Sequence, residues 1–131
     1  MPCLTLAPPI EVLLVDDQRA ILAGVTALIE SGGPAMRVAG QAMTGRQAID
    51  LANSIHPDVI ILDVDLGGED GLSLIPRLRD CCAAAIVVFT YHDAPHIRLR
   101  SGHLGVDGFA SKASSGAELI DAVLNAVRYR D

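Results

Sequence analysis

Lysine is nearly absent from this chain. Among 131 residues there is one, Lys112, against nine arginines. Tryptophan is missing, and phenylalanine and tyrosine supply two residues each, so the core must be aliphatic and rich in alanine. Basic runs are missing as well, and the formal charge is −6. Binding nucleic acid directly requires clustered Lys and Arg to neutralise phosphates, which excludes that function for the domain by itself. No apolar stretch reaches the roughly 20 residues of a membrane-spanning helix, so no membrane association is expected. Residues 1–10 have neither a basic start nor a long apolar core, and they read as a loose leader rather than a secretory signal. Cysteine is scarce and odd in number (Cys3, Cys81 and Cys82), with no CxxC or Cys/His metal spacing. Reduced thiols and a cytoplasmic location are the expectation. Half the residues are hydrophobic, enough for one domain with a real core.

What is present is a set of short apolar runs that end in reactive side chains. Val12-Leu13-Leu14-Val15 runs into Asp16-Asp17, Val59-Ile60-Ile61-Leu62 into Asp63, Ile86-Val87-Val88-Phe89 into Thr90, and Gly108-Phe109-Ala110-Ser111 into Lys112. Runs rich in Val and Ile read as buried parallel strands. In an open parallel sheet, ligands bind in the crevice beyond the carboxyl ends of the strands. Were these runs neighbours, three carboxylates, a hydroxyl and an amine would converge on one pocket.

The intervening segments carry helical patterns. Ile21, Leu22, Val25, Leu28 and Ile29 form one face, stopped by Ser31-Gly32-Gly33-Pro34. Met36–Ala42 fits a further strand, and Thr44 caps a helix with Ala48, Leu51, Ala52 and Ile55 inward. A glycine-rich polar loop follows Asp63, running to Gly71. The third helix holds Leu74, Ile75 and Leu78, but Pro76 predicts a late start or a bend. The fourth, within Asp93–Gly105, is poor in apolar positions. The last is introduced by a Ser115/Glu118 capping box and buries Leu119, Ile120, Val123 and Val127. Five strands alternating with five helices predict an α/β domain, a parallel sheet covered on both sides.

Asp16, Asp17 and Asp63 carry the chemistry. Crowded carboxylates resist ionising together, and a divalent cation resolves the conflict. Oxygen-only donors favour Mg²⁺. With the charge of an incoming phosphoryl donor masked, one carboxylate can act as nucleophile. Lys112 can neutralise a phosphoryl oxygen and the Thr90 hydroxyl can hydrogen-bond another. A lone strand-end Asp is more often a helix cap, and Asp16 by itself could simply cap the first helix. Capping explains neither the doubled acid nor Lys112. His92, His96 and His103 fit no ligand spacing and read as surface residues. Glu69, Asp70 and Asp80 read as solvated loop or helix-end charges.

Over residues 10–130 the chain resembles the receiver domain of two-component response regulators, on the order Asp16-Asp17, Asp63, Thr90 and Phe109-to-Lys112. The resemblance implies a flavodoxin-like (βα)5 doubly wound fold with strand order 2-1-3-4-5, placing the receiver in residues 11–131. It implies Asp63 as phosphoacceptor, and Mg²⁺ held by Asp17, Asp63 and the backbone carbonyl of Asp65, with Asp16 acting through a water. It further implies Thr90 and Lys112 on the phosphoryl group, and Phe109 as an aromatic switch that follows Thr90. Its role would be signalling rather than enzymatic turnover, with a sensor histidine kinase or phosphotransfer protein as partner and homodimerisation possible. The stretch Gly108–Ser115 looks most like the NarL/FixJ subfamily, in which the receiver precedes a helix-turn-helix output domain absent from this chain. Nucleic acid would be reached only through that domain.

The chain departs from the family pattern around the pocket. Leu66-Gly67 stands where a Met-Pro pair is usual, which predicts a looser loop. Tyr91 replaces a small residue after Thr90, and Asp65 adds an acid at the rim. Asp65, Gly67 and Tyr91 are therefore expected to tune the site. Asp63-Val64-Asp65 also resembles the opening of haloacid-dehalogenase-like phosphatases, where the second Asp is a general acid/base. There, however, an acidic pair follows the lysine rather than coming first. A flavin carrier of this fold class would need a phosphate-cradling loop where Asp16-Asp17 stands. A receiver-like module acting by contact alone, without phosphate, is the remaining alternative.

Overall fold

The computed structural model describes residues 8–32 and 35–128. The leader expected at 1–10 lies outside the described residues up to residue 7. At its other end the boundary moves, because Ile10 is already in the first strand, its N–H donating to the Ala35 carbonyl at 2.8 Å. The elements alternate as β1 (Ile10–Val15), α1 (Arg19–Ser31), β2 (Met36–Ala42), α2 (Gly45–Ile55), β3 (Val59–Leu62), α3 (Ile75–Cys81), β4 (Ala85–Thr90), α4 (Pro95–His103), β5 (Gly108–Ser111) and α5 (Gly116–Arg128). The five strands form one parallel sheet in the order β2-β1-β3-β4-β5, the expected α/β doubly wound arrangement.

Alternation along the strands sorts the core into two layers. Leu13, Val15, Ile60, Leu62, Ile86 and Val88 face Ala48, Ala52, Leu74, Ile75 and Leu78 of α2, α3 and the turn before it. Val12, Leu14, Val59, Ile61 and Val87 face Leu22, Val25 and Ile29 of α1 and Leu119, Val123 and Ala126 of α5. The central β3 is buried at all four positions, as its unbroken apolar run requires.

Local signals account for most helix ends. The Thr44 hydroxyl accepts from the Gln47 N–H at 3.1 Å, and the Gln47 side chain accepts from the Met43 N–H at 2.8 Å. These reciprocal bonds satisfy two donors at the start of α2. The late start that Pro76 predicts is observed: a short 3₁₀ turn, Gly71–Leu74, precedes α3, and the proline occupies the first turn of the helix, where no hydrogen bond is lost. At Ser115 the expected capping box is a backbone contact, the Glu118 N–H donating to the Ser115 carbonyl at 3.1 Å. Helix α4 buries Ser101 alone, in keeping with its weak apolar pattern. No helix among the described residues is long and apolar enough to cross a membrane.

Candidate functional site

Strand register builds the site. Val15 pairs with Leu62 across β1 and β3, so Asp16 and Asp63 leave the sheet side by side. The Asp63 N–H donates to the Val15 carbonyl at 3.0 Å and the Asp16 N–H to the Ala42 carbonyl at 2.9 Å. Thr90 ends β4 opposite Ser111, and the Lys112 N–H donates to the Thr90 carbonyl at 3.0 Å. All four chemically active strand ends thus meet at one edge of the sheet.

Oxygens of Asp16, Asp17 and Asp63 lie within 4.8 Å of one another. Asp16 and Asp63 are buried, Asp17 half-buried. The Lys112 ammonium lies 2.5 Å from Asp16 Oδ2 and 2.8 Å from Asp63 Oδ2, its side chain only 2% exposed. Burial pushes the Asp16 carboxyl above its ordinary range, and the bonds from Lys112 and the Gln18 N–H offset this only in part. Burial works against the Lys112 charge too, but the two carboxylates outweigh it and its pKa rises above 10.5. The lysine is therefore a fixed cation between two acids. The donor set is all carboxylate oxygen, with Asp17 on the wetter side, which suits a hard divalent ion that keeps some of its waters.

Asp16 does not cap α1, whose N-cap is Gln18 with no side-chain cap bond. Asp16 Oδ1 accepts from the Gln18 N–H at 2.9 Å, steadying the entry to α1, while Oδ2 meets Lys112. Thr90 is fully buried, and its hydroxyl oxygen accepts from the His92 N–H at 3.0 Å. Phe109 is half-buried, with the Arg98 guanidinium 4.3 Å over its ring. His92, His96 and His103 are all exposed.

The loop after Asp63 is tighter than expected. Asp65–Leu66 and Glu69–Asp70 pair as a small antiparallel ribbon. Gly67 and Gly68 turn it with φ of 64° and 97°, the positive values that such two-residue hairpin turns demand. Gly67 therefore sharpens the loop instead of loosening it. A Cβ there would also stand 3.3 Å from Asp17 Oδ2. Both Asp65 carboxylate oxygens have partners, the Gly68 N–H at 3.0 Å and His92 Nε2 at 3.8 Å. Tyr91 is 60% exposed, with its ring 5.6 Å from the Lys112 ammonium.

Several contacts near the pocket escaped the sequence reading. The Asp65 N–H points at Asp63 Oδ1 over 3.4 Å, placing a backbone donor beside that carboxylate. Gly71 packs against the backbone of Asp63, where a Cβ would meet the Asp63 carbonyl oxygen at 1.9 Å, so only glycine fits. Glu69 and Asp70 are exposed yet engaged. Glu69 accepts from the Gly45 N–H at the start of α2 at 2.9 Å, and Asp70 pairs with Arg100 of α4 at 2.6 Å. An acid directly after the turn glycines was the available signal for the first. Nothing local signals the second.

Comparison with known proteins agrees with this geometry. Residues 12–124 match the response regulator receiver domain family. The chain is similar to the nitrate/nitrite response regulator proteins NarL and NarP of Escherichia coli (strain K12). Identity is 34% and 36%, over 88% and 89% of this chain and 53% and 54% of those proteins. The chain spans about half the length of these relatives. Its fold is similar to that of a LuxR-family two-component response regulator from Aurantimonas sp. SI85-9A1, with TM-score 0.85, 28% identity and coverage of 92% and 86%. It is likewise similar to a Burkholderia pseudomallei response regulator solved with a phosphorylated aspartic acid, calcium ion and citrate, with TM-score 0.77, 27% identity and coverage of 86% and 65%. Family match, identity and the meeting of Asp16, Asp17, Asp63, Thr90 and Lys112 at one sheet edge lead to one conclusion: the chain belongs to the response regulator receiver domains, of the NarL type.

Proposed function

We propose that this receiver accepts a phosphoryl group on Asp63 from a sensor histidine kinase or phosphotransfer protein and switches conformation in response. The observation that carries the reading is the Lys112 ammonium fixed between Asp16 and Asp63, with Asp17 completing a three-carboxylate cluster. Asp63 attacks phosphorus as its carboxylate, the bond from phosphorus to the donor breaks, and an acyl phosphate forms on its side chain. Lys112 moves its partnership from carboxylate to phosphoryl oxygen as a point charge. The Asp65 N–H and the Thr90 hydroxyl are the neutral donors available beside it. Phe109, on β5 opposite Val88 and two residues before the Ser111 that faces Thr90, is the side chain that would report the change.

Asp16, Asp17, Asp63 and the Asp65 carbonyl are the groups that would hold Mg²⁺, Asp16 through a water. When bound, Mg²⁺ neutralises phosphoryl-oxygen charge and lets an anionic donor approach an anionic nucleophile. The relative from Burkholderia, with its phosphorylated aspartic acid and calcium ion, supports this reading. Since the chain spans about half of NarL and NarP, control of a DNA-binding output domain, and of dimerisation, belongs to the same proposal.

Mass spectrometry after incubation with Mg²⁺ and acetyl phosphate tests it. One phosphoryl group on Asp63, absent from Asp63→Asn, is the expected result. No modification, together with no response to beryllofluoride, leaves the contact-only module as the better reading.

A further inference from the structure

The ribbon that replaces the expected loose loop ties the pocket to helix α4. Its first strand begins two residues after Asp63. Its second runs into Gly71, whose N–H donates to the Val64 carbonyl at 2.6 Å and whose backbone lies against that of Asp63. The ribbon therefore cannot shift without shifting the Asp63 backbone. At its far end Asp70 does two things. Oδ1 accepts from the Leu72 N–H at 3.1 Å, which starts the turn into α3, and Oδ2 meets Arg100 Nη2 at 2.6 Å.

Helix α4 has little else to hold it. Its one buried residue is Ser101, whose hydroxyl is satisfied within the helix by the Ile97 carbonyl at 2.8 Å. Ile97 packs at the core margin, and Leu99 is 65% exposed. The remaining ties are polar: Arg98 bonds Asp93 at 2.5 Å and covers Phe109. A helix without an apolar face depends on such side-chain ties for its position. Among the described residues, Arg100 makes the one ion pair between α4 and the segment that carries Asp63.

We propose that the Asp70–Arg100 ion pair is an electrostatic latch that couples the Asp63 loop to α4, by a route separate from Thr90 and Phe109. The coupling to phosphorylation rests on the reading of Asp63 as phosphoacceptor; the latch itself does not. A change of charge and backbone position at Asp63 reaches Asp70 through the ribbon and alters its hold on Arg100, freeing or re-seating α4.

Hydrogen exchange of the α4 amides in a double-mutant cycle decides it. Asp70→Asn keeps the acceptor for Leu72 and removes only the charge, and Arg100→Gln removes the partner. In ligand-free protein each variant should speed α4 exchange about 2- to 5-fold, the scale of an exposed ion pair. The double variant should be no faster than either one, and high salt should bring the wild type to the same rate. Unchanged exchange in Arg100→Gln, or additive effects, overturns the latch. With Mg²⁺ and beryllofluoride, the wild type should change α4 exchange and Arg100→Gln should respond less. An equal response overturns the coupling. Absence of beryllofluoride binding to wild type counts against the phosphoacceptor reading, while the ligand-free cycle still decides the latch.

Discussion

The Thr90 hydroxyl oxygen accepts a hydrogen bond from the His92 backbone N–H at 3.0 Å. With that acceptor position taken at a fully buried residue, the hydroxyl proton is left to donate, and a phosphoryl oxygen on Asp63 is the partner the proposed function supplies. Thr90→Ser should keep the beryllofluoride response. Thr90→Val should weaken beryllofluoride binding about 10- to 100-fold, the scale of one hydrogen bond to a charged group. Titration of Mg²⁺-loaded protein with beryllofluoride, followed by a spectroscopic signal, measures both. Equal affinities in wild type and Thr90→Val would remove Thr90 from the site.

Lys112 is buried between two acids, so deleting its charge leaves them facing each other. Lys112→Met should lower the stability of metal-free protein by about 3 kcal/mol, as when one member of a buried ionic cluster is removed. Mg²⁺ should restore part of the loss. Because the lysine pKa is raised, its contribution is complete below 10.5 and disappears only as pH climbs through the higher folded value. Urea unfolding of both proteins should therefore show a constant difference through neutrality that narrows in strong alkali.

Asp16 gives the opposite limb. Its pKa in the fold is above 3.8, chiefly because of burial, so the folded state favours the protonated carboxyl more than the unfolded chain does. That contribution is complete below 3.8 and is lost as pH rises through the folded value. Metal-free Asp16→Asn should consequently gain stability relative to wild type as pH is raised from 3.8 to neutrality. Chemical denaturation at a series of pH values without divalent cation reads the difference. A parallel pH dependence in the two proteins would count against burial as the dominant influence on Asp16.

The two turn glycines separate backbone strain from contact with the pocket. Gly67 and Gly68 both have positive φ, so alanine at either should cost about 1 kcal/mol in stability. Only at Gly67 does the added Cβ approach Asp17 Oδ2, at 3.3 Å, whereas Gly68 has open space. Gly67→Ala should weaken Mg²⁺ binding and Gly68→Ala should not. Calorimetric titration with Mg²⁺ checks the pair, and equal affinities would detach the ribbon from the metal site.

The strand ends were legible because each ends an apolar run with a residue unsuited to burial, and parallel pairing brings such ends together. Asp16, Asp63, Thr90 and Lys112 therefore needed no long-range information beyond the fold class. Glycine was harder to read. Leu66-Gly67 suggested freedom, although Gly67-Gly68 is the requirement of a tight hairpin, and Gly71 is dictated by a backbone neighbour that composition does not reveal. Asp70 and Arg100 lie thirty residues apart in polar surroundings, where periodicity carries no signal. Pro76 marked the late start of α3 correctly, but the 3₁₀ turn that precedes it has no distinctive sequence.

Tyr91 and Asp65 both stand beside the pocket. The Tyr91 ring stands 5.6 Å from the Lys112 ammonium, and Asp65 reaches His92 over 3.8 Å beside Thr90. The expectation is that both limit the approach of water and small donors to Asp63, with Asp65 adding a negative charge. Tyr91→Ala should speed both phosphorylation by acetyl phosphate and loss of the phosphoryl group. Asp65→Asn removes a charge that repels anionic donors, and should speed phosphorylation more than its reversal. Each effect should be several-fold, on the order of the 1.4 kcal/mol or less that separates rates differing up to tenfold. Time courses of phosphorylation and decay on the purified variants measure it. Rates unchanged in both would show that the pocket mouth is open as it stands, and that the lifetime of the acyl phosphate is set within the ring of Lys112, Thr90 and the three carboxylates.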